Sequence, residues 1–497
     1  MARNIMYSDG IVMKILVCAT HPGQCNGYSL CAYNLVKELA IQNPKDSIAW
    51  YGFQNVFGDN SRNDRPLPDN VEVWDAMKHE EPRKQGFGED HVVSYIAEKD
   101  PDIVFIYNDS VVVERFLQKI KEIEAGERRF KIVVYQDLVY EHMKKRFVKQ
   151  LNDDVDRVLA FTPYWKEHMR AQGVTTPISV LRHGFDPDSK FPVPSKLARR
   201  VYGIGQDDFV VLNLNRNQPR KRWDICIKAF AEFLSRHRGE AVRLLIGTSH
   251  QGSWDLLELF ERELQKRGIS IEEGRKHITV NNMPQQMSDA EINILMNCAD
   301  IGITAADGEG FGLCNFEHAA IGKPQVVSWV GGAKDVFDGS NACVCEPVIA
   351  YYVDSSRDGV GGEAQIIDYA DMVQGIERYY SDPELRKKHG DACRKKILGA
   401  DYSWPELAKT LRSECAKCMP EPEPVEPVEP IEPEPIEPTV PDEIDFIAEV
   451  RDIASVHAKI DRIDGRIDEE LKTIKDQLAL IVAGLGQKSV RLPTPHA

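Results

Sequence analysis

The sequence predicts an α/β protein of two Rossmann-like halves facing each other across a cleft, followed by a proline-rich spacer and a C-terminal coiled-coil helix. Three observations carry this. Short β-branched runs alternate with helix-period segments from residue 13 to about 190, and the same alternation restarts at Phe209. From Glu421 onward, dense Pro and Glu and then a heptad-like pattern take over. Strands alternating with helices imply parallel sheets covered by helices.

In the first half the expected strands are 14–18, 48–53, 103–107, 131–135, 157–161 and 178–181, with helical periods at 28–40 and 92–99. In the second they are 209–214, 243–246, 277–280, 300–304 and 325–329, with helices over 222–235 and 254–267. The join falls near 191–197, and 382–418 reads as helices. The expected division is 1–190, 191–381, the helices 382–418, a linker 419–442, an amphipathic helix 443–487 and a disordered tail 488–497.

In the linker, proline at every second or third position forbids helix and sheet, and the glutamates repel one another. An extended polyproline II spacer of about 3 Å per residue follows. Beyond it, apolar residues at Ile453, Val456, Ile460, Ile463, Ile467, Leu471, Ile474, Leu478, Ile481 and Leu485 alternate steps of three and four, with one extra four at Ile467 to Leu471. That is a coiled-coil seam with a stutter, pointing to a homo-oligomer through 443–487.

With 42% apolar and 28% charged residues, the composition is that of a globular protein. No run of about 18 apolar residues suits a membrane span. The polar first 13 residues hold no cleavable apolar core, so a cytoplasmic protein is expected. The formal charge is −16; residues from Glu421 on carry 18 acids against 8 Lys plus Arg, leaving −6 for the rest. Without a basic stripe, nucleic acid is not an expected partner. Of the eleven cysteines, Cys18, Cys226 and Cys298 sit in apolar runs; Cys343-x-Cys345 with Cys415-x-x-Cys418 could supply four thiolates to zinc, but free thiols are the expected reading.

The chemistry concentrates at Glu309-Gly-Phe-Gly-Leu-Cys-Asn-Phe-Glu317. The segment 298–304 upstream reads as a buried strand, and a helix is expected to start at 315–320. Glu309 then stands at a strand's carboxyl end and Glu317 about a turn into the next helix, where open parallel sheets bind ligands. Gly310 and Gly312 leave amides free near the helix N-terminus. Two acids cannot serve phosphate, so they are expected to face the hydroxyls of a sugar and a ribose.

The run continues Glu317-x-x-Ala-x-Gly322-x-Pro324, then Gly331-Gly332 and Asp335. This ordered string resembles the E-x7-E signature of retaining glycosyltransferases of the GT-B fold, most closely glycosyltransferase family 4, over 13 to about 418. The resemblance implies a donor that is a nucleoside-diphosphate sugar and an acceptor that is a glycan or other hydroxyl compound. It implies that Glu309 and the amides of Gly310, Phe311, Gly312 and Leu313 hold the donor sugar, and that Glu317 binds the ribose. Asn215-Arg216-Asn-Gln-Pro-Arg220-Lys221-Arg222 matches the family's Arg-x4-Lys, which assigns Arg216 and Lys221 to the diphosphate. With these cations present, neither metal nor cofactor is called for. Asp154-Val-Asp156 fits a metal-binding D-x-D triplet but precedes a strand, and is discounted.

On the acceptor side, the loop from Thr20 to Gly27 occupies the place of the family's glycine-rich loop, with Gly23 and Gly27 near the phosphate and Asn26 replacing one glycine of a pair. His21 is either an acceptor-side group or a turn residue. Tyr135-Gln136-Asp137 stands where many members carry His-Asp, so Asp137 joins the catalytic set and Gln136 departs from it. The turns Phe161-Thr-Pro-Tyr164 and His183-Gly-Phe-Asp186 read as structural, Arg220 and Arg222 as exposed, and a helix of 382–418 as crossing back to the first half. GDP-linked and UDP-linked sugars both stay open, with general resemblance leaning to GDP-mannose. Two other readings remain: a GT-B nucleotide-sugar epimerase, and a catalytically degenerate scaffold oligomerised by its coiled coil.

Overall fold

The computed structural model describes residues 12–420 apart from 57–64, 82–85, 124–127, 283–286 and 355–357. The proline-rich linker and the heptad segment lie outside the described residues.

A seven-stranded sheet comprises β1 Lys14–Thr20, β2 Ser47–Phe53, β3 Val71–Asp75, β4 Ile103–Asp109, β5 Lys131–Asp137, β6 Arg157–Ala160 and β7 Ile178–Val180, in spatial order 3-2-1-4-5-6-7. A six-stranded sheet comprises β8 Phe209–Asn213, β9 Val242–Ile246, β10 Ile278–Val280, β11 Ile301–Thr304, β12 Gln325–Ser328 and β13 Cys343–Cys345, in order 10-9-8-11-12-13. Every pairing in both sheets is parallel. Each central strand is an almost unbroken buried apolar run, as Ile15–Ala19 and Ile103–Tyr107 are. A parallel sheet with helices on both faces demands this. The strand order reverses between β1 and β4 and again between β8 and β11, so each sheet opens one crevice at its carboxyl edge.

Every strand expected from the alternation is present, shifted by a residue or two at its ends. Cys298 is a correction: it closes the Asp289–Asn297 helix, and the strand begins at Ile301. Edge strands β3 and β13 and the antiparallel pair β14 Pro347–Tyr352 and β15 Glu363–Ile367 were not anticipated. The edge strand β3 is only partly buried, so it lacks the continuous apolar signal of a central one.

The Trp404–Ala416 helix lies against the first half. Arg412 Nε pairs with Asp46 Oδ2 at 3.0 Å, and Arg157 Nη1 with Glu414 Oε2 at 2.6 Å. Asp154 and Asp156 stand at the amino end of β6, opposite to the crevice, where Lys121, Arg128 and Lys131 pair with them. All eleven cysteines are free thiols. Cys343 and Cys345 are buried on β13 of the second half, whereas Cys415 is buried on the Trp404–Ala416 helix packed against the first, so the two pairs do not make one zinc site. Among the described residues, no group of acids, His or Cys is arranged to hold a metal, and no helix is long and apolar enough to cross a membrane.

Candidate functional site

The crevices meet. From the first half come the turn after β1 and the ends of β4 and β5; from the second come the turns after β8 and β11. Asn26 caps the Gly27–Gln42 helix by accepting from Ser29 N at 2.9 Å. Its departure from a glycine pair is thus a helix cap, a use for which Asn is favoured. A Cβ placed on Gly27 would lie 3.1 Å from Leu313 Cδ2, so the two helix starts nearly touch. Gly23 N donates to His21 Nδ1 at 3.1 Å, and the imidazole packs against Gly52. That is the turn role for His21.

Glu309 is buried and accepts from Lys221 Nζ. Arg220 Nη1 lies 3.5 Å from its other oxygen and also donates to Gly308 O at 3.2 Å. Burial works to raise the Glu309 pKa, but Lys221 and Arg220 outweigh it and hold the group below the usual carboxylate range. Arg220, expected to be exposed, is therefore corrected: it is largely buried and sits between Glu309 and Asp137. Nothing local in Arg-Lys-Arg distinguishes it from its neighbours; only the fold does.

Arg216 is exposed, and its guanidinium has no hydrogen-bond or ion-pair partner among the described residues. Nor does any described group accept from the amides of Gly310, Phe311, Gly312 or Leu313, which lead into the Leu313–Ala320 helix. Gly312 has φ +86°, a conformation that glycine alone adopts at little cost. Four open amides at a helix start, beside an unpaired arginine, suit a phosphate group. The Phe311 ring faces the core, packed on His183 and Phe316 with centroids 4.7 and 4.9 Å away, so only its backbone is available to a ligand.

Asp137 ends β5 and accepts from the Tyr28 hydroxyl. Its Oδ1 is buried without a partner among the described residues and packs against Gly310, where a Cβ would collide with it. Burial lifts its pKa to about 6, against the opposing pull of the Tyr28 hydrogen bond and Arg220. Gln136 is buried and donates to Ser110 Oγ at 3.1 Å and to Asp137 O at 2.9 Å. Tyr28 was not anticipated, because its partner lies 109 residues away in sequence.

Glu317 lies in the first turns of its helix, half-buried, with no hydrogen-bond partner among the described residues. Burial raises its pKa to about 7, opposed by Lys190 and reinforced by Asp289 and Asp186. Nearby, Arg65 of the first half spans the crevice. Its Nη1 donates to Pro22 O, Gln24 O and Ser29 Oγ at 2.8–3.0 Å, and its Nη2 lies 3.3 Å from Asp289 Oδ2 of the second half.

Residues 121–411 match the model of a family described as Family 4 Glycosyltransferase in conflict systems. Curated relatives include the D-inositol 3-phosphate glycosyltransferases of Gordonia bronchialis, 24% identical over 275 residues and 54% of each chain, and of Mycobacterium bovis, 26% identical over 283 residues, 55% of this chain and 51% of that one. The chain spans about half the length of these relatives. Similar solved structures include the sucrose-phosphate synthase of Thermosynechococcus elongatus (TM-score 0.61, 15% identity, 82% of this chain and 98% of that one). Another is Anabaena HepE in complex with UDP and glucose (TM-score 0.58, 15% identity, 82% and 100%). The shared architecture is the GT-B fold of two facing Rossmann-like sheets.

Proposed function

We propose that this chain, which belongs to the family 4 glycosyltransferases of conflict systems, moves a hexose from a nucleoside-diphosphate donor to a hydroxyl acceptor with retention at the anomeric carbon. The observation that carries the reading is the buried Glu309–Lys221–Arg220 cluster beside four open amides and the unpaired Arg216. In this reading residues 1–190 form the acceptor half and 191–381 the donor half, with the 382–418 helices joining them.

Arg216 and the amides of 310–313 take the diphosphate, whose charge grows as it leaves. Lys221 shares itself between that charge and Glu309. Glu309, kept anionic, accepts from the donor sugar's hydroxyls and orients its anomeric carbon toward the first half. Glu317 accepts from the ribose diol. The C1–O bond to the diphosphate breaks, and a C1–O bond to the acceptor forms on the same face. The acceptor's proton passes to the departing phosphate oxygen, so no protein nucleophile and no metal enters the scheme. Asp137, close to Gly310, lies on the acceptor side of that carbon. UDP and GDP sugars are both candidate donors; the UDP and glucose held by HepE favour a hexose on a nucleoside diphosphate. The same reading makes the protein cytoplasmic and an oligomer through 443–487.

Thermal-shift titration with UDP, GDP, ADP and their sugars tests this, on the wild type and on Glu317→Ala. Stabilisation should follow occupancy. One nucleotide diphosphate should raise the melting temperature and lose most of that effect in the variant. Absence of any response would overturn the reading.

A further inference from the structure

The β14–β15 hairpin leaves the second half between β13 and the Tyr369–Ser381 helix and forms a sheet of its own. It grips both sides of the crevice. Toward its own half, Gln365 N donates to Asp307 O at 2.7 Å and the Tyr351 hydroxyl to Asp307 Oδ2 at 2.5 Å, two residues before Glu309. Toward the other half, it pairs with the chain that follows Asp137. Glu363 N donates to Glu141 O at 2.8 Å, Glu141 N to Glu363 O at 3.3 Å, and Gln365 Nε2 to Glu141 Oε1 at 3.1 Å. Lys144 Nζ donates to Gly359 O at 2.6 Å. Between these bonds Tyr140, Val353 and Ala364 make a small dry core of their own.

Taking the glycosyltransferase reading as its premise, we infer that this hairpin is the acceptor-side wall of the site: it joins the turn carrying Glu309 to the loop after Asp137 and keeps water from the anomeric carbon. Water is the competitor that such a wall must exclude. Its attack breaks the C1–O bond to the diphosphate and forms a C1–O bond to the water oxygen. The water's proton goes to the released nucleoside diphosphate, and the products are free sugar and that nucleotide. Tyr351 and Gln365 are positioning residues, acting on Glu309 through Asp307. A hydrophobic and hydrogen-bonded clasp suits this task because water exclusion strengthens every charge interaction inside the site.

The test uses the full chain and needs no acceptor. Ala364→Glu puts a charge into the dry contact with Tyr140, and Gln365→Ala removes only the side-chain tie to Glu141. For each variant, nucleotide-induced stabilisation is measured with UDP and GDP, and nucleotide release with UDP-glucose and GDP-mannose. With stabilisation retained, release should rise at least fivefold in Ala364→Glu and about twofold in Gln365→Ala. Backbone amide exchange at 139–144 should quicken in the same order. Release that stays level or falls while stabilisation persists overturns the wall. So does loss of stabilisation in both variants, which would make the hairpin part of the donor site instead. A wild type that answers no nucleotide fails the functional premise, and the wall falls with it.

Discussion

The Lys221–Glu309 pair should be worth measuring by a double-mutant cycle of Lys221→Met, Glu309→Gln and the two together. Both groups are buried, at 7% and 9% exposure, and Arg220 stands 3.5 Å from the same carboxylate. At an effective dielectric of about 20, an ion pair at 3.5 Å carries roughly 5 kcal/mol of gross attraction. Removing Lys221 therefore leaves Glu309 with a partner. Breaking a buried pair outright costs about 3–5 kcal/mol, so Lys221→Met should fall below that, at about 2 kcal/mol. Glu309→Gln leaves two cations facing each other with no anion between them, and should cost about 4 kcal/mol. The double variant should cost less than the sum, with a coupling of about 2 kcal/mol. Urea-induced unfolding of the full chain reads these costs from the shift in midpoint at constant slope. A coupling under about 0.5 kcal/mol, or Lys221→Met costing as much as Glu309→Gln, would refute the claim that Arg220 backs up Lys221.

Further outcomes follow from the same geometry. The Glu317 carboxyl has a folded pKa raised from 4.5 to about 7, so the folded state binds the extra proton and this stabilisation, up to about 3 kcal/mol, is present below about pH 4.5 and lost as pH rises through 7. Glu317→Gln should flatten that slope in ligand-free melts. If ribose hydroxyls donate to the ionised form, as proposed, nucleotide affinity should rise between pH 6 and 8 and lose this dependence in the same variant, as read by calorimetry. Gly310→Ala should cost about 1–3 kcal/mol through collision with Asp137 Oδ1, and Asp137→Ala should restore most of it. Asp154→Asn, at the far end of β6, should leave nucleotide affinity and any donor turnover unchanged, with and without a chelator, and cost under about 1 kcal/mol.

The parts of the fold that could be read in advance are those whose signal is local. Central strands such as β1 and β4 must be apolar throughout because both faces are covered, and that run is visible in one chain segment. The strand-to-helix turns bearing Arg216, Lys221, Glu309 and Glu317 were legible for a related reason: glycines and charged residues at a strand's end are meaningful only in such a turn. Edge strand β3 and the β14–β15 hairpin were not, since each is partly exposed and so lacks the continuous apolar run of a central strand. Arg220 and Tyr28 belong to the same class. Their partners are Glu309, 89 positions on, and Asp137, 109 positions on, and no periodicity encodes such a meeting. Arg65 was missed likewise, because its anion, Asp289, belongs to the other half.

The unsatisfied groups at the centre of the crevice give these bridges a purpose. Among the described residues, Asp137 Oδ1 is buried with no donor, the amides of 310–313 have no acceptor, and the Glu317 carboxylate has no donor. A buried polar group left unpaired costs about 1–3 kcal/mol. Two halves free to separate would relieve the cost at Asp137 by opening to water, yet Arg65–Asp289, the Trp165 indole on Gly310 O at 2.8 Å and the hairpin's pairing with Glu141 hold them together. The bridges therefore hold the buried, unpartnered Asp137 oxygen in place, and in the proposed reading a nucleoside-diphosphate sugar would bring phosphate oxygens to the amides, ribose hydroxyls to Glu317 and a hydroxyl to Asp137. In that reading a nucleoside-diphosphate sugar supplies partners for all three groups, whereas a free phosphate answers only the amides. Nucleoside-diphosphate sugars should consequently stabilise the chain more than nucleotide and sugar added separately at the same concentrations. Equal stabilisation in a thermal-shift series would show that the three deficits are independent of one another.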